Sequence, residues 1–187
     1  MVNRIIVIGG SNGSIEIILK IISSLDKDFI TPIIIVIHQI RNQPSSLIEI
    51  LKRKTSIPVS EPEDKEIIKN NHIYIAPPNY HLLIEKDFTF SYTFSELRNF
   101  SRPSIDFSFE TAADAFKKNV TGILLSGANS DGTDGIKKIK SLEGITIVQN
   151  PESAASKIMP LSAIKTNCVD FIFTPDEIIN FINTNFT

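Results

Sequence analysis

The stretch Ile5-Ile6-Val7-Ile8-Gly9-Gly10-Ser11-Asn12-Gly13-Ser14 constrains the fold more than any other part of the chain. Four consecutive β-branched residues make a short buried strand, because branching at Cβ suits the pleated surface. Gly9, Gly10 and Gly13 then supply a sharp turn that residues with a Cβ would strain. Past the turn, Ile15, Ile18, Leu19 and Ile22 recur at helical spacing. Strand, glycine turn and helix together hold the Ser11 hydroxyl at the tip of a parallel-sheet strand. Gly9-x-Ser11-x-Gly13 fits the nucleophile-elbow pattern, in which a serine is exposed beside helix N-terminal N–H groups. A dinucleotide turn is a poor fit, since Ile8 stands where its first glycine belongs, and the Gly-Lys-Ser/Thr of a P-loop is absent. On this stretch alone, a plain strand-to-helix turn and a nucleophile stand level.

The remainder of the chain alternates strand and helix patterns. Pro32 opens a continuous apolar strand, Ile33 to Ile37, that runs straight into His38. Pro44 starts a helix carrying Leu47, Ile48, Ile50 and Leu51, and short strands follow near Ile57–Ser60 and at Ile73–Ile75. Leu82–Glu85 and Phe88–Ser91 flank Lys86-Asp87 as a β-hairpin. Pro103 starts a helix through about Lys117, and Val120–Leu125 is a strand leading to Ser126-Gly127-Ala128-Asn129-Ser130-Asp131-Gly132. A further helix, a strand at Ile145–Val148, short helical pieces and a strand at Val169–Phe173 precede the capping box Thr174-Pro175-Asp176-Glu177. The expected architecture is α/β: a three-layer fold with a mostly parallel twisted sheet, helices on both faces and an antiparallel hairpin at the edge. No linker or repeat interrupts the sequence, so a single domain over residues 1–187 is expected.

Composition removes several function classes. A formal net charge of −2 gives no global basic field to recruit nucleic acid. The apolar run Ile33–Ile37 is far too short to insert across a bilayer, and the N-terminal apolar run has no cleavage-site pattern, so a cytoplasmic address is expected. The lone Cys168 has no internal disulfide partner and reads as a core residue. No His/Cys cluster suggests zinc. A calcium loop over Asn129–Gly135 fails, with Asp134 in place of the turn glycine and Lys140 in place of the bidentate glutamate. No metal and no cofactor is expected.

In a parallel sheet, sites form outside the carboxyl ends of the strands. Three polar stretches fall there: Gly9–Ser14, His38–Gln43 and Ser126–Gly135. A serine nucleophile needs a base to take its proton and a third group to orient that base. Ser11, His38 and Asp131 supply the three types at three strand ends, although spacing alone does not bring them together. His38 also fits a simple strand end, and Asp131 a helix N-cap. His81 is the second candidate base but fits a site-rim or hairpin residue better, and His72 reads as solvated.

The chain resembles the catalytic domain of CheB-type chemotaxis receptor methylesterases, in the stand-alone form without a receiver domain. The resemblance runs nearly end to end. It rests on Ile8-Gly9-Gly10-Ser11-Asn12-Gly13, Val36-Ile37-His38, Tyr74-Ile75-Ala76-Pro77-Pro78-Asn79-Tyr80-His81-Leu82-Leu83, Ser101-Arg102-Pro103-Ser104-Ile105-Asp106 and Leu124-Leu125-Ser126-Gly127-Ala128-Asn129-Ser130-Asp131-Gly132. It implies a Ser11–His38–Asp131 triad that hydrolyses glutamate methyl esters on the cytoplasmic helices of chemoreceptors, releasing methanol, and that deamidates receptor glutamines. For that chemistry, backbone N–H groups near Asn12 and Ala128 are the expected oxyanion hole. Arg102 is a candidate substrate-side cation, since methylation regions are rich in Glu, and fits almost as well a surface charge at a helix start. Control would come from a separate response regulator or other signalling protein, or the activity would be constitutive. Ser14, Gln39 and the Ala128-Asn129 pair depart from the family's usual residues. A catalytically weak receptor- or partner-binding module and a small-ester hydrolase are the alternative functions.

Overall fold

The computed structural model describes residues 2–26, 28–38 and 47–186. Strand β1 (Ile5–Ser11) passes through one 3-10 turn (Asn12–Ser14) into helix α1 (Ile15–Ser23). Then come β2 (Ile33–His38), α2 (Leu47–Lys52), β3 (Val59–Ser60), β4 (Ile73–Ile75), β5 (His81–Ile84) and β6 (Phe90–Thr93). The second half runs α3 (Ile105–Phe116), β7 (Val120–Leu124), α4 (Thr133–Ser141), β8 (Ile145–Gln149), α5 (Ile158–Ile164), β9 (Phe171–Phe173) and α6 (Pro175–Phe186). The helix start expected at Pro44 lies outside the described residues.

Seven strands form one parallel sheet in the order β3-β4-β2-β1-β7-β8-β9. The chain places β2, β3 and β4 on one side of β1, with β4 inserted between β2 and the edge strand β3, then crosses to add β7, β8 and β9 outward on the other. The carboxyl end of β1 is therefore a topological switch point, where crevices open in such sheets. The apolar runs are continuous because both faces are covered. Ile6, Ile8, Ile33, Ile35 and Ile37 pack with residues of α1, α2 and α6, whereas Ile5, Val7, Ile34 and Val36 pack with residues of α3, α4 and α5. The final helix begins at the expected capping box, with Thr174 N–H donating to Glu177 Oε2 at 2.7 Å and Glu177 N–H returning to Thr174 Oγ1 at 3.4 Å. No helix among the described residues is long and apolar enough to cross a membrane.

Two expectations change in detail. The hairpin forms, but as a separate two-stranded sheet and not hydrogen-bonded to the main sheet's edge. Its β5 backbone is satisfied by α3 side chains: Ile84 N–H donates to Thr111 Oγ1 at 3.1 Å, and Ser108 Oγ donates to the Leu82 carbonyl at 2.7 Å. On the far side, β6 exchanges backbone hydrogen bonds with residues 65–66, through Lys65 N–H to Phe90 O and Phe90 N–H to Glu66 O. With those groups paired, the hairpin needs no edge strand as partner.

The second change concerns the glycine turn. None of Gly9, Gly10 and Gly13 has a positive φ; among the described glycines only Gly132 does, at 88°. Their requirement is space. A Cβ on Gly9 would lie 2.3 Å from Ile105 Cγ2, and one on Gly10 would lie 2.3 Å from Ser14 Oγ. Gly9 thus lets the first turn of α3 sit directly on β1.

Candidate active site

Strand pairing brings the first two residues together. In the β1–β2 register Ser11 is the partner of His38, and side chains of paired residues on parallel neighbours point to one face. By the alternation of β1 and β2, that face is the one covered by α3. The third residue arrives because β1 and β7 continue to pair past the sheet: Leu125 N–H donates to Gly9 O at 2.8 Å and Ser11 N–H to Ser126 O at 3.0 Å. The loop leading to Asp131 is thereby held beside the elbow. His38 Nε2 lies 2.7 Å from Asp131 Oδ2.

Asp131 is fully buried and surrounded by donors. Besides His38, its Oδ2 accepts Ile105 N–H at 2.7 Å. Its Oδ1 accepts the Ser104 hydroxyl at 2.8 Å, Gly132 N–H at 3.1 Å, Asp106 N–H at 3.2 Å and Asn99 Nδ2 at 3.3 Å. Two of these are leading N–H groups of α3, which have no acceptor inside the helix and carry its positive dipole end. Burial alone would raise the Asp131 pKa, but the hydrogen bond and charge of His38, with Ile105 N–H and Ser104, hold it below the ordinary carboxylate value. An ionised carboxylate only accepts, so His38 Nε2 carries the proton of that contact. Nδ1 is then the nitrogen left to serve as base.

The turn 98–101 closes the site from the hairpin side. Arg98 N–H donates to Ser101 O, and Ser101 N–H to Arg98 O, around Asn99 and Phe100, whose φ values are 51° and 61°. Arg98 fastens the turn to α3 by a two-pronged pairing with Glu110, both arms at 2.7 Å. Asn99 Nδ2 bridges Asp106 Oδ2 at 2.9 Å and Asp131 Oδ1. Ser101 Oγ lies 3.3 Å from His38 Nδ1 and accepts Asn129 Nδ2 at 3.1 Å. Asp106 is 1% exposed, and its burial, opposed by Gly135 N–H and reinforced by the Asp131 charge, pushes its pKa up to about 7.

The other residues singled out by the sequence divide, and several contributors carry no signal in the pattern of titratable residues. Asn12 opens the 3-10 turn after Ser11, where leading N–H groups have no acceptor within the turn. Ala128 is exposed, and its N–H finds no acceptor among the described residues. Arg102 does not join Ser11, His38 or Asp131: its guanidinium lies 3.8 Å over Phe94 and donates to Ser95 O at 2.8 Å. Its neighbours Ser101 and Ser104 make the contacts instead. His81 is fully buried; its Nδ1 accepts Ser104 N–H at 3.1 Å and its Nε2 donates to Glu96 O at 3.0 Å. Burial lowers its pKa, and it serves as a neutral strut for Ser104. His72 is not simply solvated, since it stacks on Tyr74 at 4.2 Å and pairs with Ser60 at 2.8 Å. Ser14 is buried and its hydroxyl donates to the Ser11 carbonyl at 2.6 Å, closing the elbow. Gln39 lies outside the described residues. No metal-binding cluster of His, Cys, Asp or Glu occurs among the described residues.

Known proteins similar to this chain carry concordant names. A family model described as CheB methylesterase matches residues 6–182. A Leptospira interrogans protein provisionally named protein-glutamate methylesterase/protein-glutamine glutaminase is 46% identical over 173 residues, covering 92% of this chain and 90% of its own. The Thermotoga maritima protein-glutamate methylesterase/protein-glutamine glutaminase is 32% identical over 187 residues, and there the match spans 96% of this chain but 54% of the relative. The crystal structure of the Thermotoga maritima CheB methylesterase catalytic domain superposes with a TM-score of 0.92 at 30% identity, covering 98% of this chain and 99% of that one.

Proposed function

The chain belongs to the CheB methylesterase family, and from that premise we propose that it is a serine hydrolase that removes methyl groups from glutamate methyl esters of chemoreceptors. The observation that carries the reading is the 2.7 Å His38–Asp131 contact, made by a fully buried carboxylate, with His38 in register beside Ser11. Ser11 Oγ attacks the ester carbonyl and its proton passes to His38 Nδ1, while Nε2–H stays on Asp131. N–H groups near Asn12 and Ala128 receive the oxyanion, a donor of this kind being worth about 3–4 kcal/mol. The tetrahedral species collapses, the departing methoxide takes the proton from Nδ1, and methanol leaves. Water then attacks the acyl-enzyme, returns a proton through Nδ1 to Ser11, and frees the glutamate carboxylate. A glutamine amide follows the same route with ammonia as leaving group.

The substrate is the set of methylated cytoplasmic helices of the receptor, which makes the cytoplasm the site of action. Arg102 is the cation we assign to the substrate's acidic flanks. Control by a separate response regulator or other signalling protein belongs to the same proposal. Two measurements test the catalytic core. A serine-directed phosphonate should modify Ser11 in the folded protein, and absence of that adduct would count against hydrolysis. Methanol release from a methylated receptor should disappear in Ser11→Ala; equal release by both proteins would sink the triad.

A further inference from the structure

With Nε2 committed to Asp131, His38 has one nitrogen with which to take a proton from Ser11, and the structure gives that nitrogen a different partner. Ser101 Oγ sits 3.3 Å from Nδ1, whereas Ser11 Oγ makes no hydrogen bond among the described residues. Ser101 is 8% exposed and is placed from three directions. Its backbone closes the turn with Arg98, its Oγ accepts Asn129 Nδ2 at 3.1 Å, and the same Oγ lies 3.3 Å from Asn99 O. Because Asn129 fills an acceptor position, the Ser101 hydroxyl hydrogen is left to choose between Asn99 O and His38 Nδ1. Asn129 in turn is fixed by Asp131 N–H donating to its Oδ1 at 3.1 Å. The acid loop therefore holds, through Asn129, the hydroxyl that meets the base.

We propose that Ser101 is a positioning residue that occupies the His38 base nitrogen in the resting enzyme, in competition with Ser11. This rests on the triad assignment above. Acylation begins when Nδ1 exchanges Ser101 for Ser11, a move that needs no change at Nε2, because Asp131 keeps the ring in place. Ser101 thus restrains the nucleophile until a substrate occupies the cleft. The exposed Phe100 (95%), adjacent in the turn and held at φ 61°, is positioned for a bound helix to press on the same segment.

The test compares the second-order rate of phosphonate modification of Ser11 in the wild-type protein, Ser101→Ala and Ser101→Thr, with Ser11→Ala as the blank. Removing the competing hydroxyl should raise the rate in Ser101→Ala about fivefold, the size of one neutral hydrogen bond. Ser101→Thr, which keeps the hydroxyl, should return to the wild-type rate. With methylated receptor, Ser101→Ala should change kcat/KM for acylation more than KM. A residue with only a structural role would slow both reactions when truncated, so the sign of the change discriminates. An unchanged or slower modification of folded Ser101→Ala, verified by its melting temperature, would overturn the proposal. If wild-type Ser11 is not modified at all, the triad assignment fails instead, and the two failures stay distinct.

Discussion

The Asp131 carboxylate is the residue on which the site's electrostatics turn. It has no exposed surface, yet it accepts from His38, Ser104, Asn99 and the N–H groups of Ile105, Asp106 and Gly132. Asp131→Asn would keep the shape while aiming an amide N–H₂ at several of these donors. We expect kcat for methanol release to fall about 10⁴-fold, as loss of the acid does in serine hydrolases, with the fold destabilised by about 1–3 kcal/mol. Urea unfolding beside methanol release would measure both, and activity within tenfold of wild type would exclude Asp131 from the triad. Ser14 is a smaller case. Its hydroxyl donates to the Ser11 carbonyl, so Ser14→Ala should cost about 1 kcal/mol in urea unfolding. Wild-type stability would mean that the elbow is held without it. From sequence, Ser14 reads only as a departure from the family's usual residue, since a residue type does not reveal which carbonyl its hydroxyl meets.

At the scale of elements, α3 carries the site, and it does so with groups that leave no mark in a sequence. The strand-end positions of Ser11, His38 and Asp131 are legible because alternating strand and helix patterns locate strand ends, and chemistry gathers there. The N–H groups of Ile105 and Asp106 are not, since every residue but proline has one. Ser101 and Ser104 lie in one of the family motifs, but the conspicuous charge of Arg102 draws a functional reading away from them. The glycine turn points to the right element for an incomplete reason, because steric space between β1 and α3 depends on a contact far along the chain. That contact is testable by a double-mutant cycle. Gly9→Ala places a Cβ 2.3 Å from Ile105 Cγ2, and a β-branched side chain has little freedom to give way. The expected cost is about 1–3 kcal/mol, together with reduced activity as Ile105 N–H moves from Asp131. Ile105→Ala alone should cost about 2–5 kcal/mol, yet Gly9→Ala added to it should cost little more. Simple additivity in chemical denaturation would show that the close approach does not require Gly9.

Across the whole molecule, the fold class is legible and the placement of the hairpin is not, because α3 satisfies the β5 backbone through Ser108 and Thr111, whose side chains resemble any exposed pair in a helix pattern. A consequence at this scale is the pH dependence of stability, to which buried groups contribute with opposite signs. Asp106 is raised from 3.8 to about 7 by burial, so the folded chain holds its proton more tightly than the unfolded chain. Its contribution to stability is complete below pH about 4 and is lost as pH rises through 7. His81 and His72, both lowered from 6.5 by burial, run the other way: their contribution is present above pH 6.5 and is lost as pH falls through their depressed folded values. The groups facing Asp106 are Asp131 and Asp134 from the loop and first turn of α4, and Arg98 from the turn 98–101, at 3.6 Å. Asp106→Asn removes only the first of the opposing trends. Whatever the substitution costs at pH 5, the variant should therefore gain on the wild-type protein between pH 5 and pH 8, by on the order of a few kcal/mol. Denaturant midpoints measured for both proteins across that range give the difference directly, and it is free of any error common to the two. Parallel curves would show that Asp106 ionises in the folded chain as it does in the unfolded one, and that the Arg98 charge offsets its burial.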